Sequence, residues 1–169
     1  MKKMMLSAVG LVLVAQLATA QIRTPSPSPA ATVMQTIGVT DVTVKYSRPN
    51  LRGRSPFTGD FVPAGKIWRT GANGATAFTT TTDMMVNGKA LAAGTYAILS
   101  IPAATEWTLV FSKDMAVTEQ SYKQDQDVLR VMMTPAKTSE KAETFTIGFS
   151  NVSDSTATMD IMWADVKAS

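Results

Sequence analysis

The chain has 169 residues and contains neither histidine nor cysteine. Their absence excludes disulfide bonds, thiol catalysis, zinc sites with His or Cys ligands, and acid-base catalysis by histidine. Without Lys2 and Lys3, fourteen basic and thirteen acidic residues remain, a net charge of +1. The composition therefore gives no overall electrostatic support for nucleic-acid binding.

Residues 1–20 have the pattern of a bacterial-type signal peptide. A basic start (residues 2–3) precedes an apolar run (residues 4–17), and residues 18–20 read Ala-Thr-Ala, the small-residue pattern that signal peptidase recognises. The apolar run is shorter than the roughly 20 residues that span a bilayer. We therefore expect cleavage after Ala20, a periplasmic or secreted protein, and no stable membrane span after cleavage.

The remainder predicts one domain behind a short tether. Residues 21–30 are rich in Pro and Ser, which favours an extended, hydrogen-bond-poor N-terminal tether. Residues 31–169 have the length of a single domain. Along them apolar and polar residues alternate with a period of two, which is typical of half-buried strands.

The predicted strands follow one another closely in the chain. In order, they cover residues 33–37, 42–46, 75–82, 84–86, 89–91, 95–101, 107–111, 129–133, 145–149 and 157–163. Asn87-Gly88 is the strongest hairpin signal, because both positions accept a positive φ. We expect a four-residue connection over residues 38–41, a break at Pro135, and a helical turn or two near residues 117–123. Short strands with turn residues between them predict an all-β, single-domain β-sandwich that is jelly-roll-like.

Residues 46–75 form a long connection, called here the basic segment. From Lys45 to Arg69 there are six basic residues and one acid, a net charge of +5, whereas the rest of the mature chain carries −4. Ordered loops of this length are uncommon unless they are functional. Arg suits carboxylate or phosphate oxygens, and a neighbouring aromatic face can stack a sugar or base. The candidate ligand-binding residues are Arg48, Arg52, Arg54, Lys66, Trp68, Arg69 and Asn73.

Two alternatives to ligand binding remain open. The arginines of the basic segment could pair with acids elsewhere in the domain and pin the segment to the sandwich. A glycosidase-like hydrolase would need only two carboxylates, for example Asp125 with Asp127 or Asp114 with Glu119. No nucleophile elbow, P-loop or dinucleotide fingerprint is present in the sequence.

A family resemblance rests largely on the basic segment. The matching residues are Tyr46-Ser47-Arg48-Pro49, Gly53-Arg54, Val62-Pro63, Gly65-Lys66, Trp68-Arg69-Thr70-Gly71-Ala72-Asn73, Gly94-Thr95-Tyr96 and Glu143-Thr144-Phe145. With them the chain resembles the exported bacterial proteins of the domain of unknown function 2911 family, from about residue 25 to 163. The resemblance implies an exported, compact β domain and no particular activity.

The function predicted from these observations is non-enzymatic binding. We expect an exported module that binds an anionic, sugar-like or protein ligand through the basic segment, with Arg48, Arg69 and Asn73 as hydrogen-bond donors and Trp68 as the stacking surface. The alternatives are a purely structural envelope protein and a carboxylate-based hydrolase. No catalytic residue, cofactor or metal is predicted. The expected partners are a small anionic or carbohydrate ligand or an envelope protein, and not nucleic acid.

Overall fold

A computed structural model describes residues 24–58 and 61–169, and strands dominate both ranges. The strands are β1 (Ala30–Ile37), β2 (Thr40–Ser47), β3 (Thr76–Thr80), β4 (Met84–Val86), β5 (Lys89–Leu91), β6 (Gly94–Ile101), β7 (Trp107–Ser112), β8 (Asp127–Met133), β9 (Pro135–Ser150) and β10 (Thr158–Ala168). A single 3₁₀ turn, Gln124–Gln126, precedes β8, and the described residues contain no α-helix. The prediction of an all-β fold is confirmed.

The strands form two layers of unequal size. Six strands make one antiparallel sheet in the order β1-β2-β3-β6-β7-β8, while β9 and β10 pair as a long two-stranded ribbon. The β4–β5 hairpin stands apart as a third, small unit. Neighbouring strands of the large sheet are consecutive in the chain except β3 and β6, which the hairpin unit separates, and the long basic segment joins β2 to β3.

Apolar side chains from both layers meet in one sandwich-like core. In β2, Val42 and Val44 are buried, whereas Thr43 between them is half-buried. The ribbon contributes Phe145, Ile147 and Trp163, each at most 2 % exposed. Alternation with a period of two therefore places one face of each layer against the other, as the sequence predicts.

Two local predictions differ from the structure, and a third is confirmed. The helical turn lies at Gln124–Gln126, not over residues 117–123, where short side-chain hydrogen bonds among Thr118 and Ser121 hold an irregular turn instead. The predicted break at Pro135 is confirmed, because β8 ends at Met133 and Pro135 begins β9 in the other layer, where the first residue of a strand does not need to donate a hydrogen bond. The β1–β2 turn has two residues, since Ile37 pairs directly with Thr40.

The predicted signal peptide and the first residues of the tether lie outside the described residues. Of the tether, residues 24–29 are described, and β1 begins at Ala30. Within the described residues no helix is both long and apolar enough to cross a membrane.

Candidate functional site

The basic segment spans from one layer of the sandwich to the other. Its first part lies along β9, where the Leu51 amide donates to the Glu143 carbonyl at 2.8 Å and the Phe145 amide donates to the Pro49 carbonyl at 2.9 Å. These bonds extend the ribbon locally like an added strand. The segment is thereby fixed to the smaller layer.

Its second part is bound to the end of β6 in the large sheet. The Trp68 amide and the Ser100 carbonyl are 2.8 Å apart, and so are the Ser100 amide and the Trp68 carbonyl. The Gly65 amide also donates to the Pro102 carbonyl at 2.8 Å. Because backbone bonds hold the segment to both layers, it closes one end of the sandwich.

Two of the candidate arginines donate to backbone and hydroxyl oxygens of the protein. Arg48 donates from Nε to the Phe145 carbonyl at 3.0 Å and from Nη2 to Thr146 Oγ1 at 2.7 Å. Arg54 donates to the Leu51 and Asn50 carbonyls at 3.0 and 2.8 Å. A guanidinium whose donors are satisfied internally has fewer left for a ligand.

Arg69 forms an ion pair with Glu119. Its Nε lies 2.8 and 3.0 Å from the two carboxylate oxygens, Nη2 also contacts Glu119 Oε2, and Nη1 donates to the Asn73 carbonyl. The hydrogen bonds from Arg69 lower the pKa of Glu119, and the same contact raises the pKa of Arg69. Both side chains are about a quarter exposed, 23 % for Arg69 and 27 % for Glu119.

This ion pair fastens a loop over the outer face of the large sheet. Residues 113–126 cover Ala97, Leu99 and Val110, and Val117 and Tyr122 of the loop pack against them as a second apolar cluster. The covering loop therefore depends on the basic segment for one of its attachments.

The remaining polar candidates are less constrained. The side-chain Nδ2 of Asn73 donates to the Ser28 carbonyl and to Ser47 Oγ, both at 3.2 Å. Arg52 Nη2 reaches the Pro27 carbonyl at 3.4 Å, a weak contact near the N-terminal tether. Lys66 is exposed to solvent.

Trp68 lies in the core and is 7 % exposed. Its ring is stacked on Trp163, meets Phe57 and Phe145 edge-on, and donates its indole N–H to the Gly71 carbonyl at 3.1 Å. The predicted role as a stacking surface for a ligand does not fit this placement, because neighbouring rings already cover Trp68. Ligand binding by the other six candidates stays a prediction.

An apolar pocket of about 330 Å³ opens where the basic segment meets the end of the sandwich. The segment supplies one wall, and the other walls come from the β6–β7 connection and from the paired ends of the ribbon. Its lining consists of Phe57, Val62 and Ala64, residues 102–104, Trp107, residues 135–137, and Val166. Lys137 is the one charged side chain among these lining residues.

A comparison with protein families gives a match that begins two residues before β1 and runs through β10. The model of the family described as "Protein of unknown function (DUF2911)" matches residues 28–169. The chain belongs to the DUF2911 family. No curated protein and no solved structure matches it.

The candidate acid pairs of this DUF2911 domain lie outside the apolar pocket. Glu119 is engaged by Arg69, and Asp127 accepts hydrogen bonds from Tyr122 and, at 2.7 Å, from Arg130 Nε. Asp114 accepts from the backbone amide of residue 116. The described residues contain no cluster of three His, Cys, Asp or Glu side chains that could hold a metal ion.

A second pocket lies between the layers of the DUF2911 domain beside the β4–β5 hairpin. It has a volume of about 170 Å³, and Met84, Met85, Met133 and Met159 contribute to its lining. Its described lining contains no charged side chain. This methionine pocket is smaller than the apolar pocket, and Met85 of its lining is 61 % exposed.

Sequence reasoning did not find the apolar pocket. Its walls come from four separated parts of the chain, so no local motif marks it. One signal was available: Pro102, Ala103 and Ala104 form a small apolar run directly after β6, and the two alanines are exposed. Exposed apolar residues at the end of a strand can indicate a ligand-binding edge.

Proposed function

We propose that this domain is a non-enzymatic binding module whose ligand occupies the apolar pocket. The observation that carries the proposal is the volume of about 330 Å³ with walls from the basic segment and both layers. Small-molecule sites are typically concave, mostly apolar, and roughly 300–1,000 Å³ in volume. The apolar pocket meets each of these criteria.

The internal contacts of the basic segment support a preformed site. Arg48 and Arg69 attach the segment to β9 and to the covering loop, and these contacts fix the wall that carries Phe57 and Val62. A binding surface that is already ordered loses less conformational entropy when the ligand arrives. The basic residues thus contribute to binding by holding the wall in place.

The chemistry of the lining supports binding without catalysis. Its described residues include no acid, hydroxyl or amide side chain, and Lys137 alone carries a charge. Acid-base catalysis by carboxylates and nucleophilic catalysis by hydroxyls need those groups within hydrogen-bond reach of the substrate. A hydrolase based on Asp125 with Asp127 has no support from this pocket.

Binding of a neutral apolar probe tests the proposal. Trp107 lines the pocket, so we expect 1-octanol to change the tryptophan fluorescence of the mature protein in a saturable way. Ala103→Phe places a ring at the exposed mouth and should abolish the change. Ala90→Phe, at an exposed position of β5 outside the lining, is the matched control and should leave it intact.

The opposite result of this titration rejects the proposed site. If 1-octanol gives no saturable signal, or if Ala103→Phe and Ala90→Phe respond equally, then the apolar pocket is not where the probe binds. Thermal unfolding of both variants, measured alongside, separates a blocked pocket from a damaged fold.

A purely structural role is the second candidate, and the bracing contacts favour it. The guanidinium groups of Arg48, Arg54 and Arg69 all donate to oxygens of the protein itself. A structural envelope protein would need those contacts and would have no ligand. Saturable binding in the apolar pocket is the observation that separates the two roles.

We also propose that the protein is exported and cleaved after Ala20, as the sequence of residues 1–20 suggests. Expression of the full chain in a bacterial host should give a periplasmic or secreted product. Its intact mass should correspond to residues 21–169. A product that keeps residues 1–20 contradicts the proposal.

A further inference from the structure

Lys137 lies at the mouth of the apolar pocket and is exposed to solvent. It lies near the start of β9, directly opposite Val166 of β10, and both residues line the pocket. Directly paired residues of antiparallel strands project from the same face. Lys137 is itself exposed and belongs to the lining, so its ammonium group can reach the pocket mouth.

The nearby charges leave Lys137 available to a ligand. Among residues 24–58 and 61–169, the ion pairs are Arg69–Glu119, Arg130–Asp127 and Lys167–Asp160, and none involves Lys137. Asp165 and Lys167 flank Val166 in the chain; Lys167 is already paired with Asp160, and the strand register is irregular between Ala164 and Val166. No described acid therefore lies within ion-pairing distance of the Lys137 ammonium group.

From this placement we infer that the ligand is a single-chain amphiphile with an anionic head group, its chain in the apolar pocket and its head group at Lys137. The inference rests on the proposed binding function and names its ligand class. A neutral ligand would leave the ammonium group unused, and a cationic one would be repelled by it. The lysine ammonium group is a compact point charge without the planar fork of Arg, so it can bind a carboxylate or a phosphate equally.

The floor of the pocket matches the apolar chain of such a molecule. Val62 and Trp107 are each 2 % exposed at the bottom, and the mouth is lined by the exposed Ala103, Ala104 and Ala136. Small side chains at the mouth let a chain enter, and aromatic and branched side chains deeper in bury it. Each methylene that moves from water into such a site strengthens binding roughly fourfold.

The test compares head groups on one chain length. Titrations of the mature protein use octanoate, octyl phosphate, 1-octanol and octyltrimethylammonium, below the concentrations at which they aggregate, with tryptophan fluorescence as the readout. We expect both anions to bind about fivefold more tightly than 1-octanol, the size of effect that a partly exposed ion pair gives. The cation should bind most weakly, and added salt should reduce the differences.

Two lysine variants assign the effect to one residue. Lys137→Met should remove the preference for anions and leave 1-octanol binding in place, whereas Lys141→Met, on the same strand but outside the lining, should change neither. In a homologous series from hexanoate to decanoate, the dissociation constant should fall with each methylene until the pocket is full. That series checks the chain independently of the head group.

The outcomes separate the two proposals. If 1-octanol binds and octanoate binds no better, or if Lys137→Met keeps the preference, the inference about the head group is wrong while the binding function stands. Octanoate could instead bind to a basic surface elsewhere on the protein. In that case Lys137→Met and Ala103→Phe would leave octanoate binding unchanged, and this result would also overturn the inference. If no probe binds, the proposed function itself fails.

Discussion

Trp68 stacks on Trp163 with ring centroids 5.9 Å apart and planes inclined by 13°. One ring belongs to the basic segment and the other to β10, so the contact joins the long connection to the smaller layer. Phe145 of β9 meets both rings edge-on, at 5.2 and 5.8 Å. The basic segment is therefore part of the core as well as part of the surface.

The first prediction concerns the stability that Trp68 provides. Trp68→Ala removes a buried ring and leaves a cavity, and we expect the free energy of unfolding to fall by about 3–5 kcal/mol. Urea denaturation followed by circular dichroism measures the change. Met34→Ala, at a side chain that is 64 % exposed, is the control and should shift the midpoint very little. An unchanged midpoint for Trp68→Ala would mean that the ring is not in the core in solution.

The second prediction compares a bracing cation with an exposed one. Arg48→Met leaves the Phe145 carbonyl and Thr146 Oγ1 without their donor, and we expect a loss of about 1–3 kcal/mol. Lys66→Met in the same segment should change stability by less than about 0.5 kcal/mol, because Lys66 is exposed. Chemical denaturation of the two variants is the measurement. Equal effects would show that Arg48 does not brace the segment.

Much of the fold could be predicted from the sequence because its signals are local. Alternation with a period of two marks β2 and β7, and Asn87-Gly88 marks the β4–β5 hairpin, which has the predicted bounds. In each case the information lies within a few residues of the strand. The full length of β9 was missed, since its first half has exposed or half-buried side chains without a clear inward row.

The partners of the basic segment could not be predicted, because they are distant in the chain. Arg48 binds the Phe145 carbonyl across 97 positions, and Arg69 binds Glu119 across 50. Composition showed that basic and acidic residues are segregated, which is compatible with either ligand binding or internal pairing. Trp68 illustrates the same limit: the basic residues Lys66 and Arg69 close to it in sequence suggest a surface position, whereas its neighbours in space are aromatic rings.

The third prediction is a pH dependence that comes from the Arg69–Glu119 ion pair. The hydrogen bonds from Arg69 lower the pKa of Glu119 in the folded state. Above the ordinary Glu pKa of about 4.3 the ion pair contributes its full stabilisation, and this contribution is lost as the pH falls through the lower folded-state pKa. We therefore expect Glu119→Gln to cost more stability at pH 7 than at pH 3.

The measurement is the difference in urea midpoint between wild type and Glu119→Gln at several pH values between 3 and 7. Asp125 is an exposed acid outside the described ion pairs, so Asp125→Asn is the matched control and should differ little from wild type in urea midpoint at every pH. The interpretation of Glu119 is wrong if the midpoint difference between wild type and Glu119→Gln stays constant or increases towards pH 3.

The fourth prediction uses two glycines three residues apart. Gly71 has φ +154°, and a Cβ there would lie 3.0 Å from Thr76 Oγ1 and 3.1 Å from the Ser47 carbonyl. Gly74 has no atom within 4 Å of the corresponding position. Gly71→Ala therefore combines backbone strain with contacts that are too close, and we expect it to destabilise the protein by more than about 1 kcal/mol.

Gly74→Ala should be neutral or slightly stabilising, because it only restricts the unfolded chain. The pair also tests whether the basic segment shapes the apolar pocket. A shift of residue 71 displaces the neighbouring Trp68, which packs on Phe57 of the pocket wall. Gly71→Ala should accordingly weaken 1-octanol binding under conditions in which it remains folded, whereas Gly74→Ala should not. Equal binding by both variants would show that the wall is held independently of the turn at Gly71.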